Sequence, residues 1–215
     1  MEIIDKILKQ RKTPVEFLKQ GIQNVYSKYL KNESSIWNNM YKENYEDKMN
    51  SEQQKDRYIE IGEIVNKSGI GKSDILDIGS GNGTLTNYID TKKINTFTGI
   101  DISKEAVKIA NKKYETNENI NFIETDILTF SGYKFDIIIF NESLYYFRLK
   151  DIEEVIERAL DMLKEDGIMI ISMSVSIKSY LIRKKLDLIF TPESDKKIYS
   201  RFSGNNWRIR VYKKN

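Results

Sequence analysis

The 215-residue chain carries 35 Lys and Arg against 32 Asp and Glu, a formal charge of +3 spread along its length that gives no electrostatic case for nucleic acid. It has no cysteine and no histidine, which excludes a disulfide framework, a thiol nucleophile, a histidine base and a histidine-ligated metal. Carboxylates, tyrosines and backbone amides are left for polar chemistry.

The start, Met1-Glu2-Ile3-Ile4-Asp5, lacks the basic and long apolar regions of a signal peptide. No run reaches the roughly 18 apolar residues of a membrane span, so a cytoplasmic protein with no membrane partner is expected. The length suits one main domain at 51–215 behind an N-terminal helical segment at 1–50. Within that segment, 1–12 reads as a short helix and Thr13-Pro14-Val15-Glu16 as a helix start. Val15, Leu18, Ile22, Val25, Tyr26 and Tyr29 then recur near helical spacing. Residues 31–50 are rich in Asn, Tyr and Glu; Trp37 and Tyr41 share a helical face, and with Tyr45 they either close a pocket as a lid or form an ordinary aromatic cluster.

Ser51 and Gln54 have the spacing of a capping box ahead of a helix over 52–67, followed by a turn at 68–73 and a strand at 75–78. That strand runs into Gly79-Ser80-Gly81-Asn82-Gly83, where glycines permit a sharp bend and a close backbone approach to a ligand. A helix carrying Leu85 and Ile89 inward should follow. The alternation continues with a strand at 96–100, a helix at 103–113 facing Ala106, Val107, Ile109 and Ala110 to the sheet, and strands at 120–124 and 135–140. The last of these, Phe-Asp-Ile-Ile-Ile-Phe, suits a central parallel strand covered on both faces. A helix at 152–163 exits through Lys164-Glu165-Asp166-Gly167 into the apolar run 168–173, and 177–190 reads as helix. Finally, 197–202 and 206–212 form a hairpin around Ser203-Gly204-Asn205, with Trp207, Ile209 and Val211 on one face and Arg208, Arg210 and Tyr212 on the other. The pattern is α/β with a predominantly parallel sheet and an antiparallel edge.

The strand ends carry the polar residues. Asp101 closes the second strand about 20 residues past the glycine loop, placed to accept from ribose hydroxyls or to cap the helix at Ser103. Asp126 is placed to accept from an adenine amino group beside apolar Ile127, or to cap a loop. Glu142 follows the fourth strand, where it takes a proton or holds an ammonium-like substrate, or else caps the next helix or stays solvated; Tyr145 and Tyr146 either orient an acceptor or pack.

In order, Leu76-Asp77-Ile78-Gly79-Ser80-Gly81-Asn82-Gly83, Gly99-Ile100-Asp101-Ile102-Ser103, Thr125-Asp126-Ile127 and Phe135-Asp136-Ile137-Ile138-Ile139-Phe140 resemble the class I S-adenosylmethionine-dependent methyltransferases. Asn141-Glu142-Ser143-Leu144-Tyr145-Tyr146 and Asn206-Trp207-Arg208-Ile209 look most like the small-molecule type related to nodulation-factor N-methyltransferases. The resemblance implies a Rossmann-like seven-stranded sheet, mostly parallel with an antiparallel C-terminal strand, and S-adenosylmethionine lying across the first strand ends. It places Asp77, Gly79, Ser80, Gly81 and Gly83 by the methionine portion, Asp101 by ribose, Ile102, Asp126 and Ile127 by adenine, and Asn141 against the cofactor. Glu142, Tyr145 and Tyr146 then stand at the reaction centre, with Trp37, Tyr41 and Tyr45 as substrate or lid residues and no metal required. The expected partner is a small-molecule methyl acceptor, with nitrogen and oxygen both open. Asn141-Glu142-Ser143-Leu144 lacks the proline-aromatic sequence of adenine or glutamine amino-methyltransferases, and a chain without cysteine has no covalent cytosine route. Two other readings remain: an NAD-dependent oxidoreductase, against which the Gly-x-Gly-x-Gly spacing counts, and a non-catalytic RNA-binding protein using Lys112, Lys113, Lys184, Lys185, Lys196, Lys197, Arg208 and Arg210.

Overall fold

The computed structural model describes residues 33–68 and 71–213. The helices expected over 1–12 and from Thr13, with the stripe from Val15 to Tyr29, lie outside the described residues, as do two positions of the 68–73 turn. Helices α1 (Glu33–Lys42), α2 (Tyr45–Met49) and α3 (Glu52–Lys67) precede β1 (Ser73–Ile78) and β2 (Ile94–Asp101). There follow α4 (Lys104–Lys113), β3 (Ile120–Glu124), β4 (Phe135–Asn141), α5 (Ile152–Met162), β5 (Leu163–Ser174), α6 (Ile177–Leu186), β6 (Ser194–Tyr199) and β7 (Asn206–Lys213).

The apolar run of β4 decides the layering. Successive side chains leave a strand on opposite sides. Ile137 and Ile139 therefore enter one apolar layer with Tyr58, Ile61 and Val65 of α3 and Val107 and Ala110 of α4. Ile138 and Phe140 enter the other, with Val155, Ile156 and Ala159 of α5 and Ile182 and Leu186 of α6. A strand without polar alternation needs a cover on each face, and the helices supply both.

The seven strands form one sheet in the order β3-β2-β1-β4-β5-β7-β6. The first five are mutually parallel, whereas β7 runs antiparallel to both β5 and β6. The Rossmann-like seven-stranded expectation holds, with the reversed strand inserted between β5 and the edge strand β6. The hairpin's first strand ends at Tyr199, three residues short of the expected 202. Trp207, Ile209 and Val211 join the α3 and α4 layer, as their alternation required. The opposite face of β7 is also covered: Tyr212 is buried against Phe190, and Arg210 is paired with Asp187 and Asp195.

Three local expectations are corrected. Ser51 makes no side-chain cap, because its hydroxyl donates to the Lys48 carbonyl and Gln54 is turned inward to accept from Arg57. Lys164–Gly167 is not a helix exit but a bulged stretch within β5, where Leu163 already pairs with Phe135 and Ile168 with Ile137. The Lys164 ammonium lies between Asp74 and Asp136 at 2.8 and 2.9 Å, which fixes the bulge to the starts of β1 and β4.

The third correction bears on the ligand site. A 3-10 turn, Thr84–Tyr88, follows the glycine loop in place of an α-helix, although Leu85 and Ile89 are buried as expected. The ten residues between Gly83 and β2 are divided between this turn and a second 3-10 turn, Thr91–Lys93, and the β-branched Thr84 and Thr86 disfavour a longer helix. The turn packs on α3 at Gly62, where an added Cβ would stand 2.1 Å from the Tyr88 carbonyl oxygen, while Tyr58 and Tyr88 stack at 5.3 Å.

Gly62→Ala separates propensity from packing. Alanine gains about 1 kcal/mol in a helix interior. Overlap with a backbone oxygen requires α3 or the turn to move, and overpacking of this kind costs about 1–3 kcal/mol. A net loss of urea stability is expected; a midpoint unchanged or raised would show that the turn moves freely.

Candidate active site

The sheet order reverses direction between β2 and β4, on either side of β1, and the crevice beyond the carboxyl ends of such strands is where open α/β sheets bind ligands. A cavity of about 260 Å³ opens there. Its wall includes Gly79, Ser80, Gly81, Asn82, Asp101, Ile102, Asp126, Ile127, Asn141 and Glu142, with Tyr145, Tyr146, Trp37, Tyr41 and Tyr45. Asp77 and Gly83, expected beside them, lie off that wall: Asp77 is buried beneath it, and Gly83 faces the rings of Phe122 and Tyr114.

The glycine turn is held from below and from above. The Gly79 and Ser80 amides both donate to the Ile100 carbonyl, at 2.8 and 3.1 Å. The Gly81 amide donates to Asp101 Oδ2 at 2.9 Å, and Asp101 Oδ1 accepts from the Ser103 amide at 2.8 Å. Asp101 therefore ties the loop to the start of α4 while also facing the cavity. Gly81 has φ +54°, and a Cβ there would lie 2.3 Å from the Tyr41 hydroxyl. Only glycine combines that dihedral with so close an approach.

Helix α1 sits over this edge by side-chain hydrogen bonds. Asn38 Oδ1 accepts from the Ser103 hydroxyl at 2.9 Å and from the Glu105 amide at 3.2 Å, beside Ser103's own cap to Ala106. Beyond α2, the Thr84 hydroxyl lies 2.6 Å from Asn50 Oδ1 and 2.7 Å from Asn82 Oδ1. At the other end of α1, the Glu33 carboxyl is pushed up to about 7 by burial and by the charge of Asp126. Asp126 itself accepts from the Leu128 amide, the loop-capping arrangement, while still lining the cavity.

Glu142 is delivered by a strained turn, with φ +60°. Its amide donates to the Ser172 carbonyl, and its Oε2 accepts from the Tyr145 hydroxyl at 3.0 Å and lies 3.7 Å from Arg57 Nη1. Burial pushes its carboxyl above the ordinary range, against the opposing pull of Arg57 and Tyr145. Arg57, absent from the sequence expectations, is only 2 % exposed. Its Nη1 donates to Gln54 at 2.8 Å, and the guanidinium carbon lies 4.7 Å from the Tyr58 ring and 5.3 Å from Trp207. The signal was present: Gln54 and Arg57 share the helical face of Tyr58, Ile61 and Val65, and polar residues on an apolar stripe are buried ones.

Around the cavity, Arg57 Nε and Nη2, Ser80 Oγ, Asn82 Nδ2, Asn141 Oδ1, Glu142 Oε1 and Ser143 Oγ are buried without a hydrogen-bond partner in the protein. Each such group costs about 1–3 kcal/mol, so their concentration here suits a polar ligand. Four of the eight basic side chains considered for RNA are in ion pairs among the described residues: Arg208 and Arg210 with Asp195, Lys185 with Glu153 and Lys196 with Glu60. Among the described residues no helix is long and apolar enough to cross a membrane.

A family model described as a methyltransferase domain matches residues 71–207. The phosphoethanolamine N-methyltransferase of Plasmodium falciparum (isolate 3D7) is 30% identical over 132 residues, covering 56% of this chain and 50% of that protein. The putative methyltransferase YqeM of Bacillus subtilis (strain 168) is 31% identical over 111 residues, covering 50% and 44%. The chain thus spans about half the length of the curated relatives it matches. Among solved structures, the N-methyltransferase NodS from Bradyrhizobium japonicum WM9, in complex with S-adenosylhomocysteine, superposes with a TM-score of 0.67 at 20% identity, over 77% of this chain and 89% of that one. That likeness is one of fold.

Asp77 offers a pH test. Burial, reinforced by the charge of Asp101 and opposed by Arg57, pushes its carboxyl from 3.8 to about 8. The folded chain therefore keeps a proton that the unfolded chain releases near pH 4, so the contribution of Asp77 to stability is full below that pH and is lost as pH rises towards 8. Asp77→Asn removes this titration. The melting temperature of the variant minus that of the parent should rise across that window; parallel curves would contradict the assignment.

Proposed function

The chain belongs to the class I S-adenosylmethionine-dependent methyltransferase family, and on that premise we propose that its strand-end cavity takes S-adenosylmethionine and directs the methyl group to an amine or hydroxyl of a small molecule. The observation carrying this reading is convergence: the Gly79–Asn82 turn, Asp101 and Glu142 open onto one cavity where the sheet order reverses.

The residues present fit that cofactor. Arg57 presents a buried guanidinium to the cavity, suited to the amino-acid carboxylate. The glycine turn gives backbone close to the methionine portion, Asp101 faces the ribose, and Ile102, Asp126 and Ile127 receive the adenine, with Ser80 and Asn141 supplying polar atoms between. Asp77 lies beneath the wall, where burial keeps its carboxyl protonated close to Arg57 and Asp101. Gly83 serves packing against Phe122 rather than ligand approach.

When bound, S-adenosylmethionine supplies a methyl group already activated on a sulfonium. The protein's task is then alignment, exclusion of water and management of one proton. Glu142 is the group for the proton: its carboxyl lines the cavity, is pushed up by burial and is held by Tyr145. Trp37, Tyr41 and Tyr45 close the cavity above, with Tyr146 against Trp37. Similarity to a phosphoethanolamine N-methyltransferase supports an acceptor of small size. Neither the nicotinamide nor the RNA-binding reading gains support from the family match or the paired basic residues.

Labelled methyl transfer from S-adenosylmethionine, screened over small amines and alcohols, tests the reading; label passing only to RNA or protein would contradict it. Two substitutions separate the parts. Gly81→Val meets both a positive φ and the Tyr41 hydroxyl, so S-adenosylhomocysteine affinity should fall by about tenfold or more; normal affinity in a folded variant would remove the loop from the site. Glu142→Gln should lower turnover about a hundredfold, the low end for a lost general base, with cofactor affinity changed by less than about threefold. Unchanged turnover would end the proton-handling role.

A further inference from the structure

Five aromatic side chains, Trp37, Tyr41, Tyr45, Tyr145 and Tyr146, line the same cavity as Glu142. Their rings meet at steep angles. Trp37 stands 4.9 Å and 87° from Tyr146 and 5.7 Å and 67° from Tyr45, while Tyr45 stands 5.5 Å and 79° from Tyr41. Tyr145 and Tyr146 are 4.7 Å apart at 51°. Contacts of this kind join the five rings into one connected group along the cavity, and they come from three separate segments: α1, α2 and the turn after β4. Ring faces are electron-rich and attract a cation without needing a hydrogen bond from it. One ring already does so, because Lys48 Nζ lies 5.3 Å from the Tyr45 centroid. The other cation at the cavity, Arg57, is taken up by Gln54, Glu142 and the rings of Tyr58 and Trp207.

We propose that this aromatic wall, with the Glu142 carboxylate at its side, is a binding site for a small alkylammonium group, and therefore that the methyl acceptor is an amine rather than an alcohol. The proposal rests on the methyltransferase reading and narrows it. The balance of the step is what the wall matches. The lone pair of the neutral amine forms the new bond to the methyl carbon as the carbon–sulfur bond breaks and its electron pair stays on sulfur. Positive charge thus passes from sulfur to nitrogen, and any remaining N–H proton leaves to Glu142 or water. A cation develops on the acceptor during transfer, so ring faces and a carboxylate stabilise the transition state more than the neutral amine. An alcohol, once its proton is lost, yields a neutral ether that gains nothing from such a wall.

The test is calorimetric binding of choline to the full chain saturated with S-adenosylhomocysteine, against its uncharged carbon isostere 3,3-dimethyl-1-butanol. Choline should bind about tenfold or more tightly than the isostere, as expected when several faces each contribute to holding a desolvated cation. Trp37→Phe, which keeps a ring, should retain most of that preference, and Trp37→Leu, which keeps only apolar bulk, should lose it. Equal affinity for the two probes, or a preference that survives Trp37→Leu, overturns the proposal. Should Trp37→Leu fail to fold, the comparison of the two probes on the parent chain still decides. Failure of S-adenosylhomocysteine itself to bind would instead overturn the underlying methyltransferase reading.

Discussion

A guanidinium held at 2 % exposure is the constraint around which the upper edge of this molecule is built. An ion removed from water costs several kcal/mol even after the protein relaxes, and only close partners offset it. Arg57 draws them from three directions: Gln54 and Tyr58 on its own helix, Trp207 on the reversed strand β7, and Glu142 at the end of β4. Glu142 meets it from a backbone with φ +60°. Ion pairs of Lys196 with Glu60 and Arg201 with Asp56 then fix α3 to β6 and the turn that follows it, so the base of the cavity is tied across the sheet.

The roof is attached differently. Only Tyr41 of α1 is buried, and the segment is tied down through Asn38 to the start of α4 and through Asn50 to Thr84. Asp101 accepts from the Ser103 amide, and Ser103 donates to Asn38, so the acid proposed to meet the ribose is one hydrogen bond away from the residue that holds the roof. The glycine turn meets the roof as well, since Gly81 combines a left-handed backbone with room for the Tyr41 hydroxyl.

Much of this was legible in the sequence, for physical reasons that also mark where reading stopped. Continuous apolar strands such as 135–140 need cover on both faces, and strand-end acids fall at fixed positions in a parallel sheet, so β1 to β5, Asp101, Asp126 and Glu142 could be placed. Glycines are ambiguous by contrast: Gly81 approaches the site, whereas Gly83 makes room for Phe122, and spacing alone does not distinguish them. The segment after the loop was read correctly in what it buries, Leu85 and Ile89, but its 3-10 form was not legible, because its packing against Gly62 joins residues far apart in sequence. Arg57 was missed because a charged residue on a helix is usually solvated, and only its place on the apolar stripe with Gln54 marks it as buried.

Calorimetry of the full chain with S-adenosylhomocysteine, NAD and NADP measured side by side tests the central claim most directly. Saturable one-site binding of S-adenosylhomocysteine, with neither nicotinamide dinucleotide bound at comparable concentration, is the predicted result. Binding of a nicotinamide dinucleotide in preference, or no binding of S-adenosylhomocysteine, would contradict the assignment of Gly79–Asn82, Asp101 and Arg57 to a methyl-donor site.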